Sequence, residues 1–282
     1  MRVDNVVLSM VCGAAVVLAV WIAWAGRNLV LVADRAAGVD EAIQLSAGTA
    51  AKDAVRSLAG VLAAGIVAGV LVAGLGGRLL MRILAATSGD RAQGRLTEAE
   101  ELVGEITFDG SLGFVIFVGM LVPAGASLIY LALRRFLPDR AWIGGLVFGL
   151  LLLATFGVGD PLSSDNIDFR ILRPLPLAVG LVVATSLLFG VTFTALAARF
   201  DRSRTNRGHL GRPRPTDLGL VALIFPLYLG IGAAYVGTRT VARGRLGALL
   251  ERRAVQHTGG VLVVAAAIVA AVVVVNTAAE IL

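Results

Sequence analysis

The sequence predicts an all-α polytopic integral membrane protein, a single membrane domain over residues 1–282 built as a bundle of seven transmembrane helices. Three observations carry that prediction. Hydrophobic residues make up 57% of the chain and charged ones only 16%, against about 25% charged in a soluble domain, which leaves too little polar surface to cover a water-exposed globule. The charges are clustered: seven stretches hold none, and together they cover 153 residues in which an even scatter would place about 24. Each stretch is 19–25 residues long, the length at which a helix rising 1.5 Å per residue crosses a ~30 Å hydrocarbon core.

The stretches are Val6–Gly26, Ser57–Gly77, Gly110–Leu133, Ala141–Gly159, Pro174–Ala198, Leu218–Thr238 and Thr258–Ala279. A membrane barrel would alternate in polarity over ~10-residue segments. These runs are apolar on every face, as helices with internally satisfied backbones require. The first ends in Ala23-Trp24-Ala25, which resembles a small-residue cleavage site; its length and the lone early charge of Arg2 favour a retained helix. The second contains Gly65-x-x-x-Gly69 and the fourth Gly145-x-x-x-Gly149, spacings that let helix backbones approach closely, although a chain with 34 glycines also produces them by chance. Pro123 in the third and Pro226 in the sixth predict kinks; broken helices bind substrates in some transporters, while bare kinks are commoner.

The net charge of +6 comes from arginine-rich loops between the stretches, where attraction to anionic headgroups and fixing of topology are the ordinary roles. A lipid bilayer with anionic headgroups is therefore the expected partner, and nucleic acid is not: Arg199–Pro215 has only Phe200 to stack on a base. It reads as a solvated loop. With seven crossings the loops alternate, and the basic residues divide 12 against 13, which decides nothing. Density is more informative. Arg134, Arg135 and Arg140 crowd one short loop and Arg199, Arg202, Arg204, Arg207, Arg212 and Arg214 another, which places both in the cytoplasm, the N-terminus outside and the C-terminus cytoplasmic. The 239–257 loop, with Arg239, Arg243, Arg245, Arg252 and Arg253, runs against that rule and reads as a basic interfacial helix with Leu246, Leu249 and Leu250 toward lipid. Residues 33–56 read as an amphipathic surface segment. Lys52 is the single lysine, which together with the glycine content suggests a GC-rich bacterial genome and hence a bacterial plasma membrane.

Chemistry-bearing residues are few. Cys12 alone cannot form an intramolecular disulfide and reads as a small buried hydrophobe; with only His209 and His257 besides, zinc-type sites and Cys–His nucleophiles lack their parts. Nine of the 19 acids fall in two loops: Asp90, Glu98, Glu100, Glu101, Glu105 and Asp109 after the second stretch, and Asp160, Asp165 and Asp168 after the fourth. Two helices separate these loops, so they share one membrane face in either orientation. Thr97 to Glu100 fits a capping box opening a short surface helix with Leu102, Val103 and Ile106 on its apolar side. Arg78 and Arg82, one turn apart at the end of the second stretch, either snorkel to headgroup level or form a pair of forks for a phosphate. In the other loop Asp160, Asp165 and Asp168, with Asn166, either bind a divalent cation such as Mg²⁺ or make turns by bonding to their own backbone.

These residues, with Arg173, make up the candidate polar site: Arg78, Arg82, Glu98, Glu105, Asp109, Asp160, Asp165, Asn166, Asp168 and Arg173. Two arrangements stand. The arginines pair internally with Glu105 or Asp109, or they hold a lipid phosphate while the aspartates hold the cation, the only cofactor the loops suggest. No aspartate-rich prenyltransferase motif, phosphate loop or Ser-His-Asp set occurs. No stretch contains the ionisable groups that coupled transporters place in the membrane. The first expectation is therefore a non-enzymatic membrane component or assembly partner of other membrane proteins. An interfacial enzyme or binding protein acting on a phosphate-bearing lipid comes second, and a small-solute transporter third.

The runs Gly76-Gly77-Arg78 with Met81-Arg82, Gln93-Gly94 with Thr97-Glu98, Val103-Gly104-Glu105-Ile106-Thr107 with Asp109-Gly110, Asp165-Asn166 with Asp168-Phe169, and Pro174 to Val179 resemble those of uncharacterised polytopic membrane proteins of actinobacteria. The likeness spans residues 58–180. It implies no activity, only that the loops after the second and fourth stretches belong together.

Overall fold

The computed structural model describes residues 3–29, 31, 47–90, 92–98, 102–103, 107–159, 161–205 and 253–282. Helix α1 is Val3–Gly26. Helix α2 is one continuous rod, α-helical over Ala47–Ala68, π-helical over Gly69–Gly76 and α-helical again over Gly77–Thr87. Helix α3 runs through Phe108–Ile116, a π turn at Phe117–Leu121, and Val122–Leu133. Helix α4 is Ala141–Leu152 with a π turn at Leu153–Gly157. The short α5 is Ile167–Ile171, α6 is Leu175–Thr205 and α7 is Arg253–Ile281. Among the described residues the only β pairing is an isolated bridge between Leu96 and Leu102.

The chain is thus an all-helical, membrane-spanning protein. Among the described residues five helices are long and apolar enough to cross: Val6–Gly26, Ala54–Thr87, Phe108–Leu133, Leu175–Arg202 and Ala254–Ile281, with the shorter apolar Ala141–Gly157 between the third and fourth of them. The expected sixth stretch, Leu218–Thr238, the basic residues 239–252 ahead of α7, and residues 33–46 of the expected surface segment lie outside the described residues. The rest of that segment, from Ala47, is the start of α2 rather than a separate surface element.

Two helices overrun their charge-free stretches. Beyond Gly77, α2 continues through Arg78 and Arg82 because Leu79, Leu80, Met81, Ile83 and Leu84 keep it apolar; it ends before Gly89, whose φ of 71° is the left-handed conformation that closes helices. Likewise α6 absorbs Arg199 to Thr205, residues expected in a loop. Their charges find partners there: Arg199 lies over the Trp21 ring at 5.7 Å, and Asp201 sits 3.8 Å from Arg134, which is only 7% exposed.

Helix α6 is central, packed against α1, α2 and α4, while α3 lies on α2 and α7 on α4. Glycine sets these distances. A Cβ on Gly145 would lie 2.5 Å from Val191 Cα and one on Gly149 2.6 Å from Ser186 O, while one on Gly190 would run into Gly145 O, so α4 and α6 touch backbone to backbone. Gly65 and Gly69 do the same for α2 against Pro123 and Gly119 of α3. Pro123 lacks an N–H and its ring crowds the preceding turn; the expected kink takes the form of the widened π turn just before it. Tyr130, Phe148 and Phe193 are fully buried where α3, α4 and α6 meet, with Tyr130 edge-on to Phe193 at 4.8 Å and to Phe148 at 5.4 Å. The hydroxyls of three buried residues are satisfied: Thr192 donates to Ala19 O (3.3 Å), Thr194 to Ala141 O (2.8 Å) and Ser127 to Pro123 O (2.8 Å).

The contacts also fix the direction of each helix. Leu8, Ser9 and Cys12 of α1 lie beside Arg78 and Arg82, and Val274 and Ile281 of α7 join Leu84, Leu153, Leu162 and Phe169 in one buried cluster. At the other end Leu31 N–H donates to Asp139 O (2.7 Å), and Gly259 abuts Phe136. The Val3 end of α1 and the Ile281 end of α7 therefore share one end of the bundle, called the acidic end below, and Thr205 and Arg253 share the other. Helix α7 thus runs parallel to α4, with Gly259 seated on Phe136 and Ile281 in the acidic-end cluster.

Candidate functional site

The two acidic loops meet. Glu98 N–H donates to Asp168 Oδ1 (3.0 Å), and Ile167 N–H donates to Glu98 Oε2 (3.2 Å), so each carboxylate accepts a main-chain bond from the other loop. A second tie lies at the end of α2, where Ser88 Oγ accepts from Arg173 N–H at 2.7 Å. A main-chain bond to a charged acceptor is among the stronger hydrogen bonds, and two in opposite directions fix the register of the loops.

Each loop is prepared locally. Asn166 Oδ1 accepts from Asp168 N–H (2.8 Å) and caps α5, with Asp168 in the first turn, where the helix dipole favours a negative charge. This is the turn reading of the aspartate loop. The Thr97 to Glu100 pattern lies partly outside the described residues. On either side of residues 99–101 the chain pairs with itself: Gly94 N–H donates to Val103 O (3.0 Å) and Val103 N–H to Arg95 O (2.9 Å). Val103 is thereby buried at 5% exposure in the cluster with Leu162 and Phe169. The true cap of α3 is Thr107, whose Oγ1 accepts from Gly110 N–H at 3.1 Å, with Asp109 in the first turn. Sequence reasoning missed it, though a threonine followed by an acid in the next turn was the available signal.

The expected site residues divide accordingly. Glu98, Asn166, Asp168 and the main chain of Arg173 come together; Asp165 is 95% exposed and lies 3.8 Å from Arg170. Glu105 and Asp160 lie outside the described residues. Among the described residues no three His, Cys, Asp or Glu side chains gather as a metal site would need, and the two described aspartates of the proposed trio each have a partner within the protein. Arg78 and Arg82 are half-buried and face α1, lining a cleft with Leu8, Ser9, Cys12 and Leu79. The Arg78 guanidinium stands over the Phe114 ring at 4.8 Å. Cys12 lies there buried, as the sequence suggested, whereas Ser9 was not singled out. No family model, curated protein or solved structure matches the chain.

Proposed function

We propose that the protein is a non-enzymatic component of a bacterial plasma membrane, an integral partner around which other membrane proteins assemble. The observation that carries this reading is the reciprocal bonding of Glu98 and Asp168. A general base, nucleophile or metal ligand must present its carboxylate to a ligand; these two present theirs to the protein's own main chain and hold two loops in place. What remains prominent is a rigid body with apolar outer helices, as lipid and partner helices require.

In the orientation we propose, the acidic end lies outside and both described ends of the chain with it. Ten of the described basic residues belong to the Thr205–Arg253 end and five to the acidic end, whereas seven of the ten described acids belong to the acidic end. The excess of arginine at one end is the usual mark of the cytoplasmic face. Purification from native membranes with lipids retained, followed by mass spectrometry, tests the functional reading. A stoichiometric partner protein is the expected result. Recovery of the chain alone with a polyprenyl phosphate would overturn it in favour of an interfacial enzyme.

A further inference from the structure

At the Thr205–Arg253 end of the bundle, α1 closes with two indoles that the protein does not cover: Trp21 is 55% exposed and Trp24 61%. A ~30 Å core takes ~20 residues of helix, so the crossing Val6–Gly26 sets both indoles just inside the boundary of hydrocarbon and headgroups, the depth at which tryptophans gather, and Arg27 at the boundary itself. A core centred on the crossing Leu175–Arg202 places Arg199 of α6 at the same level. We propose that Trp21, Trp24, Arg27 and Arg199 form a binding surface for an anionic phospholipid in the leaflet at that end, with the phosphate against the guanidinium groups and an acyl chain along the indoles.

The four side chains converge for reasons visible in the packing. Trp21 and Trp24 share one face of α1, and Gly26 abuts the side chain of Ala195, which brings Arg199, one turn further along α6, beside them. Arg199 lies over the Trp21 ring at 5.7 Å and Arg27 over the Trp24 ring at 4.0 Å. Arg27 reaches back to do so, and its Nη1 donates to Trp24 O at 3.1 Å. A ring holds a guanidinium through its π face and uses none of its N–H donors. One Arg27 donor goes to Trp24 O, and the exposed side chain leaves others for the headgroup layer. The stacking thus fixes the charge in place while keeping the fork that suits phosphate oxygens. The acid closest in sequence to Arg199 faces elsewhere, since Asp201 lies 3.8 Å from Arg134. No enclosed pocket is required, because the acyl chains of such a lipid stay in the bilayer alongside α1. The proposal does not depend on the partner role above.

The test uses the full chain carrying Trp142→Phe, so that only Trp21 and Trp24 fluoresce as indoles, in phosphatidylcholine vesicles containing either brominated phosphatidylglycerol or brominated phosphatidylcholine, whose bromines quench an adjacent indole. Quenching is read in that background for Arg27→Gln, Arg27→Lys, Arg27→Gln with Arg199→Gln, and Arg140→Gln, an exposed arginine of the same end outside the site. The expected result is stronger quenching by phosphatidylglycerol. That preference should fall about fivefold in Arg27→Gln, the worth of one arginine near an anionic surface, be partly kept in Arg27→Lys, vanish in the double variant and hold in Arg140→Gln. Quenching by brominated phosphatidylcholine should be the same in every variant, which shows the packing of α1 intact. Equal quenching by the two lipids before any arginine is changed, or an equal loss of preference in Arg140→Gln, would overturn the site in favour of diffuse surface charge. Loss of the preference on adding millimolar inorganic phosphate at constant ionic strength would overturn the lipid as ligand and leave a free-anion site.

Discussion

Replacing Gly190 by alanine drives a methyl group into the backbone of α4. Its Cβ would lie 2.6 Å from Gly149 N, 2.7 Å from Gly149 Cα and nearer still to Gly145 O, where ordinary contact begins at 3.4 Å, so α4 and α6 must part by about 1 Å. A gap of that size forfeits a quarter to a half of each atom–atom attraction of ~0.1–0.2 kcal/mol. Over roughly 40 atom pairs, about the number around one buried leucine, the loss is about 2 kcal/mol, which agrees with the ~1–3 kcal/mol typical of overpacked cores. In lipid no hydrophobic drive between the helices offsets it. Gly180 is the control, because it lies on the same helix and a Cβ there meets nothing within 4 Å. Reversible unfolding in mixed micelles, followed by circular dichroism, should show Gly190→Ala destabilised by about 2 kcal/mol and Gly180→Ala unchanged or stabilised by up to ~1 kcal/mol through helix propensity. Equal stability of the two variants would refute the backbone contact of α4 with α6.

Asp201→Asn removes the carboxylate charge 3.8 Å from the buried Arg134 and, with Asp201 18% exposed, should cost about 1–3 kcal/mol; a loss under ~0.5 kcal/mol in the same unfolding assay would show the pair to be incidental. Ser88→Ala removes the acceptor of Arg173 N–H and should cost about 1–2 kcal/mol, with faster proteolysis within residues 161–173; unchanged cleavage there would show that the tie does not hold the loop. In a double-mutant cycle, Glu98→Ala and Asp168→Ala should couple by about 1 kcal/mol, because either change releases the loop register on which the other bond depends; strict additivity would mean the two bonds act separately.

Much of this fold was legible in the sequence because the membrane imposes a simple rule: charge-free runs of crossing length become helices. That rule fails at the ends. Counting stops at the first charge, whereas α2 continues through Arg78 and Arg82 until Gly89, and α6 through Arg199 and Asp201 to Thr205. The glycine pairs at 65 and 69 and at 145 and 149 announced close packing, but a spacing on one helix says nothing of its partner, so Gly119 and Gly190 went unseen. The pairing of Gly94 and Arg95 with Val103 was hidden as well, because burial of Val103 with Leu162 and Phe169 is a tertiary contact that no local pattern encodes. Helix counting put the two acidic loops on one face; that Glu98 and Asp168 bind each other's main chain depends on how α2 and α4 end in space, which no pattern within either loop encodes. The direction of α7 was equally hidden, because it is decided by contacts of Gly259 and Ile281 with distant helices.

The arrangement of the helices, with both described ends of the chain at the acidic end, and the proposed placing of that end outside are tested most directly by labelling single cysteines in intact cells with a membrane-impermeant maleimide. Cys12 is first replaced by alanine, and cysteines are placed singly at Asp165, Leu282 and Arg135. The account predicts that Asp165→Cys and Leu282→Cys are labelled from outside and that Arg135→Cys is labelled only after the cells are opened. Labelling of Leu282→Cys together with Arg135→Cys, and apart from Asp165→Cys, would contradict it.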